Sequence, residues 1–303
     1  MNYRKVYKEW IENPYYDEET KTELLAIKDD EKEIEDRFYK ELEFGTGGMR
    51  GIIGAGTNRM NKYTVRKAAQ GLASFVKKRS QSGKGVVIAY DSRRCSYEFA
   101  LETALVMASN NIKAFLFDEL RPTPELSFAV RYLGCAAGVV ITASHNPKEY
   151  NGFKAYGSDG CQLPPKESDD VIKEVESIND VSEIRCMKKE ESLQQGLIEI
   201  IGKEIDDAYI NAVKSSCINP ELCKKYGKDI RMIYTPIHGT GNKPVRRVLE
   251  EIGFENVLVV KEQELPDSDF TTVKYPNPEE KAVFNIAIQM AKKEDVELII
   301  GTD

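Results

Sequence analysis

Short apolar runs that end abruptly at a polar residue, with helical patterns between them, constrain this chain more than any other feature. The runs cover residues 86–89, 114–117, 139–141, 230–234, 257–260 and 296–300. Each is short for a helix and, apart from Arg231 and Glu297, apolar at successive positions, so both of its faces need cover. That is the pattern of a strand in a mostly parallel sheet with helices on either side. The intervening patterns read as helices. Residues 63–79 place Val65, Ala68, Ala69, Leu72, Phe75 and Val76 on one side, and residues 99–109, 121–133, 245–252 and 282–292 follow suit. The alternation predicts an α/β fold of two successive domains, each with a mixed, mostly parallel sheet sandwiched by helices.

At 303 residues and 41% apolar composition the chain is large enough for two cores. Residues 1–43 read as a helical amino-terminal arm of three amphipathic segments, broken at Asn13-Pro14. Residues 44–195 are expected to form domain 1 and residues 196–303 domain 2, with the boundary in the charged, irregular stretch 179–196. No apolar run approaches the ~20 residues that span a membrane. A net charge of −7 without a basic cluster argues against nucleic acid as a partner. Six cysteines without a C-x-x-C pair argue against a structural zinc site or a disulfide framework. With the start MNYRKVYKEW, which has no apolar signal core, they make a cytoplasmic location the expectation.

Chemistry gathers where the apolar runs stop. In GVVITASHNPKEYNGFKAY, residues 138–156, Ser144 and His145 lie just past the end of a strand, where open α/β sheets bind ligands. Lys154 follows on a short returning strand. The glycine-rich stretch 44–56, FGTGGMRGIIGAG, fails the G-x-G-x-x-G test, because Arg50 stands where a glycine would be. It reads either as a flexible connection with tight turns or as a loop through which Arg50 reaches a phosphate. Asp91-Ser92-Arg93, His238-Gly239 and the final Asp303 also follow apolar runs. Taken singly, each loop reads as a cap or turn, with His238 a satisfied structural histidine. Four such loops in phase, holding both histidines of the chain, point to a site. Ser144 has Ala143 and His145 as neighbours, not the G-x-S-x-G of a hydrolase elbow. Phosphoryl transfer fits better, since a phosphoserine, a magnesium ion and arginine forks would use these residue types together.

Thr142-Ala143-Ser144-His145-Asn146-Pro147 resembles the phosphoserine loop of the α-D-phosphohexomutase family. Phe44-Gly45-Thr46-Gly47-Gly48-Met49-Arg50-Gly51, Asn151-Gly152-Phe153-Lys154, His238-Gly239-Thr240-Gly241 and Gly301-Thr302-Asp303 are similar to further landmarks of that family. With its helical arm, the chain most resembles the family's bacterial phosphoglucomutase branch. The resemblance implies the first two of four domains and interconversion of glucose 1-phosphate and glucose 6-phosphate. Ser144 would carry the phosphate, with glucose 1,6-bisphosphate as intermediate and activator. One Mg²⁺ would lie between Ser144 and three aspartates of a D-x-D-x-D-R loop, of which Asp303 matches the first. Arg50, His145 and Lys154 would serve proton transfer and charge stabilisation, Lys154 ranking above His145 as proton acceptor. Arg50, Arg93 and His238 would bind phosphate or the hexose monophosphate. Mannose or pentose phosphate are the alternative substrates, and a non-catalytic phosphosugar-binding module is the alternative function. The stop just past an apolar run predicts a piece of a longer protein, one that binds metal poorly and turns over little by itself.

Overall fold

A computed structural model describes residues 2–303. The arm folds as α1 (Tyr3–Glu12), α2 (Glu18–Ala26) and α3 (Glu31–Phe38). Asn2, Asp17 and Asp30 cap them, their side chains accepting from the backbone N–H groups of Lys5, Thr20 and Glu33. The three helices close over an aromatic cluster. Trp10 stacks on Tyr16 at 4.2 Å and meets Phe38 and Tyr63 edge-on at 5.6 and 5.5 Å. Tyr63 belongs to a later helix, so this cluster fastens the arm to the rest of the chain.

Beyond the arm come β1 (Gly48–Ile52), α4 (Lys62–Lys78), β2 (Val86–Tyr90), α5 (Ser96–Ser109), β3 (Ala114–Phe117), α6 (Thr123–Tyr132), β4 (Ala137–Ile141) and β5 (Tyr150–Gly157). They are followed by α7 (Pro165–Glu176), α8 (Lys189–Gln194) and β6 (Ile198–Ile201). These strands make one sheet in the order β1-β5-β4-β2-β3-β6. The central pairs β4/β2, β2/β3 and β3/β6 are parallel, while β5 runs antiparallel to both of its neighbours. Val86, Ile88, Val139 and Ile141 enter the core beneath α4 and α5, and Val87, Ala89 and Val140 enter the core beneath α6. Two covered faces account for the unbroken apolar runs.

Two strands of this sheet are not evident from composition. β1 occupies the glycine-rich stretch that reads as a flexible connection. Gly48 holds φ +154°, and a Cβ there would lie 2.1 Å from the carbonyl oxygen of Phe153, so only glycine lets β1 close on β5. β6 lies past the boundary expected at residue 195, yet it pairs with β3 and completes the first sheet. Its Ile-Glu-Ile-Ile sequence has two exposed middle positions, as an edge strand does.

The remaining elements are α9 (Lys203–Ser215), α10 (Pro220–Tyr226), β7 (Arg231–Thr235), α11 (Asn242–Ile252), β8 (Asn256–Val259), α12 (Asn285–Glu294) and β9 (Leu298–Gly301). The second sheet is parallel, in the order β8-β7-β9. α12 covers it, with Ala287 and Ala291 packed around Ile233 and Val260. No helix among the described residues is long and apolar enough to cross a membrane.

Candidate active site

β2 and β4 are paired through Tyr90 and Ile141, so the loops that leave them start side by side. Asp91 and Thr142 are the residues at which the two runs stop, and they bond to each other. The Thr142 hydroxyl donates to Asp91 Oδ2 at 2.6 Å and accepts from the Ser144 backbone N–H at 2.9 Å. Asp91 Oδ1 takes the Ser96 hydroxyl at 2.6 Å and the Arg93 backbone N–H at 2.9 Å. Burial pushes the Asp91 carboxyl pKa up, and Arg93, Ser96 and Thr142 oppose the rise.

Arg93 closes the arrangement. Its Nη2 donates to the carbonyls of Ser144 and Asn146 at 2.5 and 2.6 Å. Its Nη1 donates to those of Pro147 and Tyr150 at 2.9 and 3.0 Å, and its Nε lies 3.4 Å from Asp91 Oδ2. Burial draws the guanidinium pKa down, with the Asp91 charge opposing. The sequence places Arg93 among the phosphate-binding residues. The structure corrects this: the side chain is buried, both Nη groups are spent on the backbone of the serine loop and Nε faces Asp91, so it shapes that loop and leaves no fork for a ligand.

Ser144 adopts the left-handed φ of +55°, uncommon outside glycine. It is half-buried, and its hydroxyl lies 3.4 Å from His145 Nδ1. Lys154 sits on β5 between Phe153 and Ala155, both in the core, so its ammonium projects from the opposite face. Burial lowers the Lys154 pKa, the Arg50 charge adds to that, and Asp303 and Asp91 oppose it. A cavity of about 450 Å³ between the ends of the two sheets is lined by Ser144, Lys154 and Asp303 together, with Arg93 at its wall. Asp303 is brought there because its backbone lies against Gly239, where an added Cβ would sit 2.3 Å from the Asp303 carbonyl carbon.

Two expected site residues lie to the side. Arg50 is exposed, donates to Asn146 Oδ1 at 2.9 Å, and lines a second cavity of about 580 Å³ that shares Thr142 and Lys154 with the first. His145 is exposed and lines neither of these cavities. His238 is a correction. Its ring is buried, with Nδ1 2.9 Å from the Leu265 carbonyl and Nε2 2.8 Å from the Thr272 hydroxyl. Both nitrogens are occupied by protein groups, so no phosphate contact remains for it.

Two contributors have roles that the residues alone do not reveal. Asn151 is fully buried and ties the returning strand to the Asp91 loop, donating to the Arg94 carbonyl and the Ser96 hydroxyl at 2.9 Å each. Phe270 comes from a stretch of turn-forming residues and lines the first cavity.

Where α6 packs on α9, Glu125 is buried 3.9 Å from Arg121, whose guanidinium is engaged bidentately by Asp206 at 2.7 and 2.9 Å. Among the described residues Glu125 Oε1 has no hydrogen-bond partner. Burial, reinforced by Asp206, raises the Glu125 pKa well above the usual carboxylate range. A raised carboxyl pKa stabilises the fold fully below the unfolded value, and that contribution is lost as pH rises through the folded value. Thermal melts against pH are therefore expected to show stability declining from mildly acidic pH upward, and Glu125→Gln is expected to flatten the decline. An unchanged slope in the variant would assign the decline to other groups.

Residues 41–182 match the family model for the phosphoglucomutase/phosphomannomutase alpha/beta/alpha domain I, and residues 207–303 match the model for domain II. A phosphoglucomutase of Staphylococcus haemolyticus is 39% identical over 270 residues, covering 89% of this chain and 48% of that protein. One from Staphylococcus saprophyticus is 37% identical over 301 residues, covering 97% of this chain and 52% of that protein. A solved protein of Thermus thermophilus, provisionally named a phosphomannomutase, superposes with a TM-score of 0.72 at 26% identity, covering 87% of this chain and 55% of that one. The chain thus spans about half the length of the curated relatives it matches. Matched by both domain models across most of its length, the chain belongs to the phosphoglucomutase/phosphomannomutase family, the α-D-phosphohexomutases.

Proposed function

We propose that this chain carries the phosphoserine site of a phosphoglucomutase, which interconverts glucose 1-phosphate and glucose 6-phosphate. The observation that carries the reading is the cavity holding Ser144 on a gripped, left-handed turn, together with a Lys154 of lowered pKa and the Asp303 carboxylate. The named function of the Staphylococcus relatives supports glucose over mannose as the sugar.

In the priming step the Ser144 hydroxyl attacks a phosphorus of glucose 1,6-bisphosphate. The Ser144–O–P bond forms, the sugar–O–P bond breaks, and a hexose monophosphate leaves. The proton lost by Ser144 passes to Lys154 in its neutral form and is returned to the departing sugar oxygen. In the forward reaction the roles reverse. Phosphoserine gives its phosphoryl group to the free hydroxyl of a bound hexose monophosphate, and Ser144 takes back the other group after the bisphosphate turns over. Arg50 at the neighbouring cavity offsets part of the −1.5 to −2 charge that a phosphate brings. Arg93 and the Asp91–Thr142 bond keep the loop fixed while that charge comes and goes.

No group of three or more His, Cys, Asp or Glu side chains that could hold a metal ion occurs among the described residues. The donors that fit are fewer: Asp303 and, once phosphorylated, Ser144. One carboxylate with phosphate oxygens and water is a usual Mg²⁺ setting. A magnesium ion held there would polarise the phosphorus and offset the gathered negative charge.

The test is peptide mapping by mass spectrometry of the protein isolated from its own cells, coupled to an assay of glucose phosphate interconversion. Phosphate on Ser144, with interconversion that Ser144→Ala removes, is the expected result. A bare Ser144 that takes no label from glucose 1,6-bisphosphate would sink this reading and leave a phosphosugar-binding module.

A further inference from the structure

Residues 265–272, between β8 and α12, belong to the second sheet's part of the chain but reach the serine loop. Their shape is fixed from within. Asp267 accepts from the backbone N–H groups of Asp269 and Thr271 at 2.9 Å each and from the Thr271 hydroxyl at 2.7 Å. Against burial, which works the other way, these bonds hold its carboxyl pKa down at about 2. The buried His238 spans the stretch, touching Leu265 through one ring nitrogen and Thr272 through the other. Gln263, fully buried, donates to the Thr272 hydroxyl at 3.2 Å and accepts from Thr235 at 2.7 Å.

The stretch presents two side chains to the serine loop. Phe270, at φ +48° and 5% exposed, puts its ring 5.2 Å from the Arg93 guanidinium. Asp269 pairs with Arg94 and lies 3.3 Å from Lys148, and these two residues flank the grip at either end. A bulky side chain holds a left-handed backbone only where its surroundings over-determine it. The ring lies over a guanidinium taken out of water, the setting in which such a contact is strongest. The Asp269 pairs, which solvent screens, add less.

We infer that residues 265–272 form a clamp across the two sheets, in which Phe270 is a positioning residue that holds Arg93 in its grip on the serine loop. This deepens the phosphoserine reading and rests on it, because the clamp serves chemistry only where Ser144 reacts. It gives His238 a role too: the imidazole keeps the clamp in shape and touches no substrate.

Hydrogen exchange followed by mass spectrometry on the full chain tests the clamp directly. In Phe270→Ala the amides of residues 144–150 are expected to exchange roughly tenfold faster, matching the loss of a ring–guanidinium contact. The amides of β2 and β4 are expected to keep their wild-type rates, and Asp269→Asn is expected to shift residues 144–150 the same way by less. If only residues 265–272 loosen in Phe270→Ala and the serine loop keeps its rate, the clamp is refuted. Should Phe270→Ala loosen the whole sheet, Phe270→Leu, which keeps apolar bulk without a ring face, is judged by the same criterion. The isolated protein then separates this inference from the proposed function. Slower phosphate uptake by Ser144 in the variant, with bisphosphate affinity unchanged, extends the clamp to chemistry. A wild-type protein that takes no phosphate removes the proposed function, and the exchange result still decides the clamp.

Discussion

Arg93→Met is expected to destabilise the chain by ~3–5 kcal/mol, because it removes a buried cation and strands its partner charge. Four carbonyls of the serine loop lose their donor together, and Asp91 keeps only neutral donors in a buried position. Some of those carbonyls regain water, since the loop is partly exposed, and Asp91, with 14% of its side chain exposed, regains less. Arg93→Lys is expected to recover little, because a single ammonium cannot reach four acceptors as a planar fork does. The neighbouring Arg94→Met provides the control. Arg94 is exposed and, among the described residues, paired only with Asp269, so its loss is expected to cost less than ~1 kcal/mol. Denaturant melts read the stabilities, and limited proteolysis within residues 142–150 reads the loop. An Arg93→Met chain that melts with the Arg94→Met control would refute the grip.

Lys154→Met is expected to slow phosphate uptake by Ser144 by about 10²- to 10³-fold, the usual weight of one proton-transferring side chain. Methionine matches the lysine stem in length and is neutral, so the register of β5 should survive the change. His145→Gln is expected to cost less than ~10-fold, since its ring is exposed and borders neither cavity around the serine loop. The pH profile carries a sign as well. With the Lys154 pKa lowered by burial and by Arg50, the neutral, proton-accepting form grows as pH rises toward that lowered value. Uptake should therefore climb with pH on the acidic side in the wild type and lose that limb in Lys154→Met. A larger loss in His145→Gln than in Lys154→Met would exchange the two assignments.

What can be read from the chain depends on how local the cause is. The central strands are legible because α4 and α5 on one face and α6 on the other force successive positions to be apolar. β1 is not legible, because its strand state comes from close pairing with β5 and its glycines carry no side-chain pattern. The positions of Arg93 and His238 at strand ends are visible in the sequence, but their tasks are not. The same position suits a phosphate ligand and a backbone clasp equally, and partners as distant as Tyr150 and Thr272 decide between them. The stretch holding Phe270 offered no pattern at all, since its shape comes from Asp267, Gln263 and His238 and not from periodicity.

The place of β5 between β1 and β4 bears on how such a chain can change over evolution. Lys154 faces the cavity only because Phe153 and Ala155 face the core, and both neighbouring ladders are anchored through it, Gly48 opposite on one side and Val140 on the other. A single residue gained before Tyr150 that shifted the register of β5 would bring Phe153 into the place of Lys154, one lost would bring Ala155, and either would turn the ammonium toward the core. Drift in this stretch is therefore confined to replacing letters at constant length, whereas loops on the far edge of the sheet are free to grow and shrink.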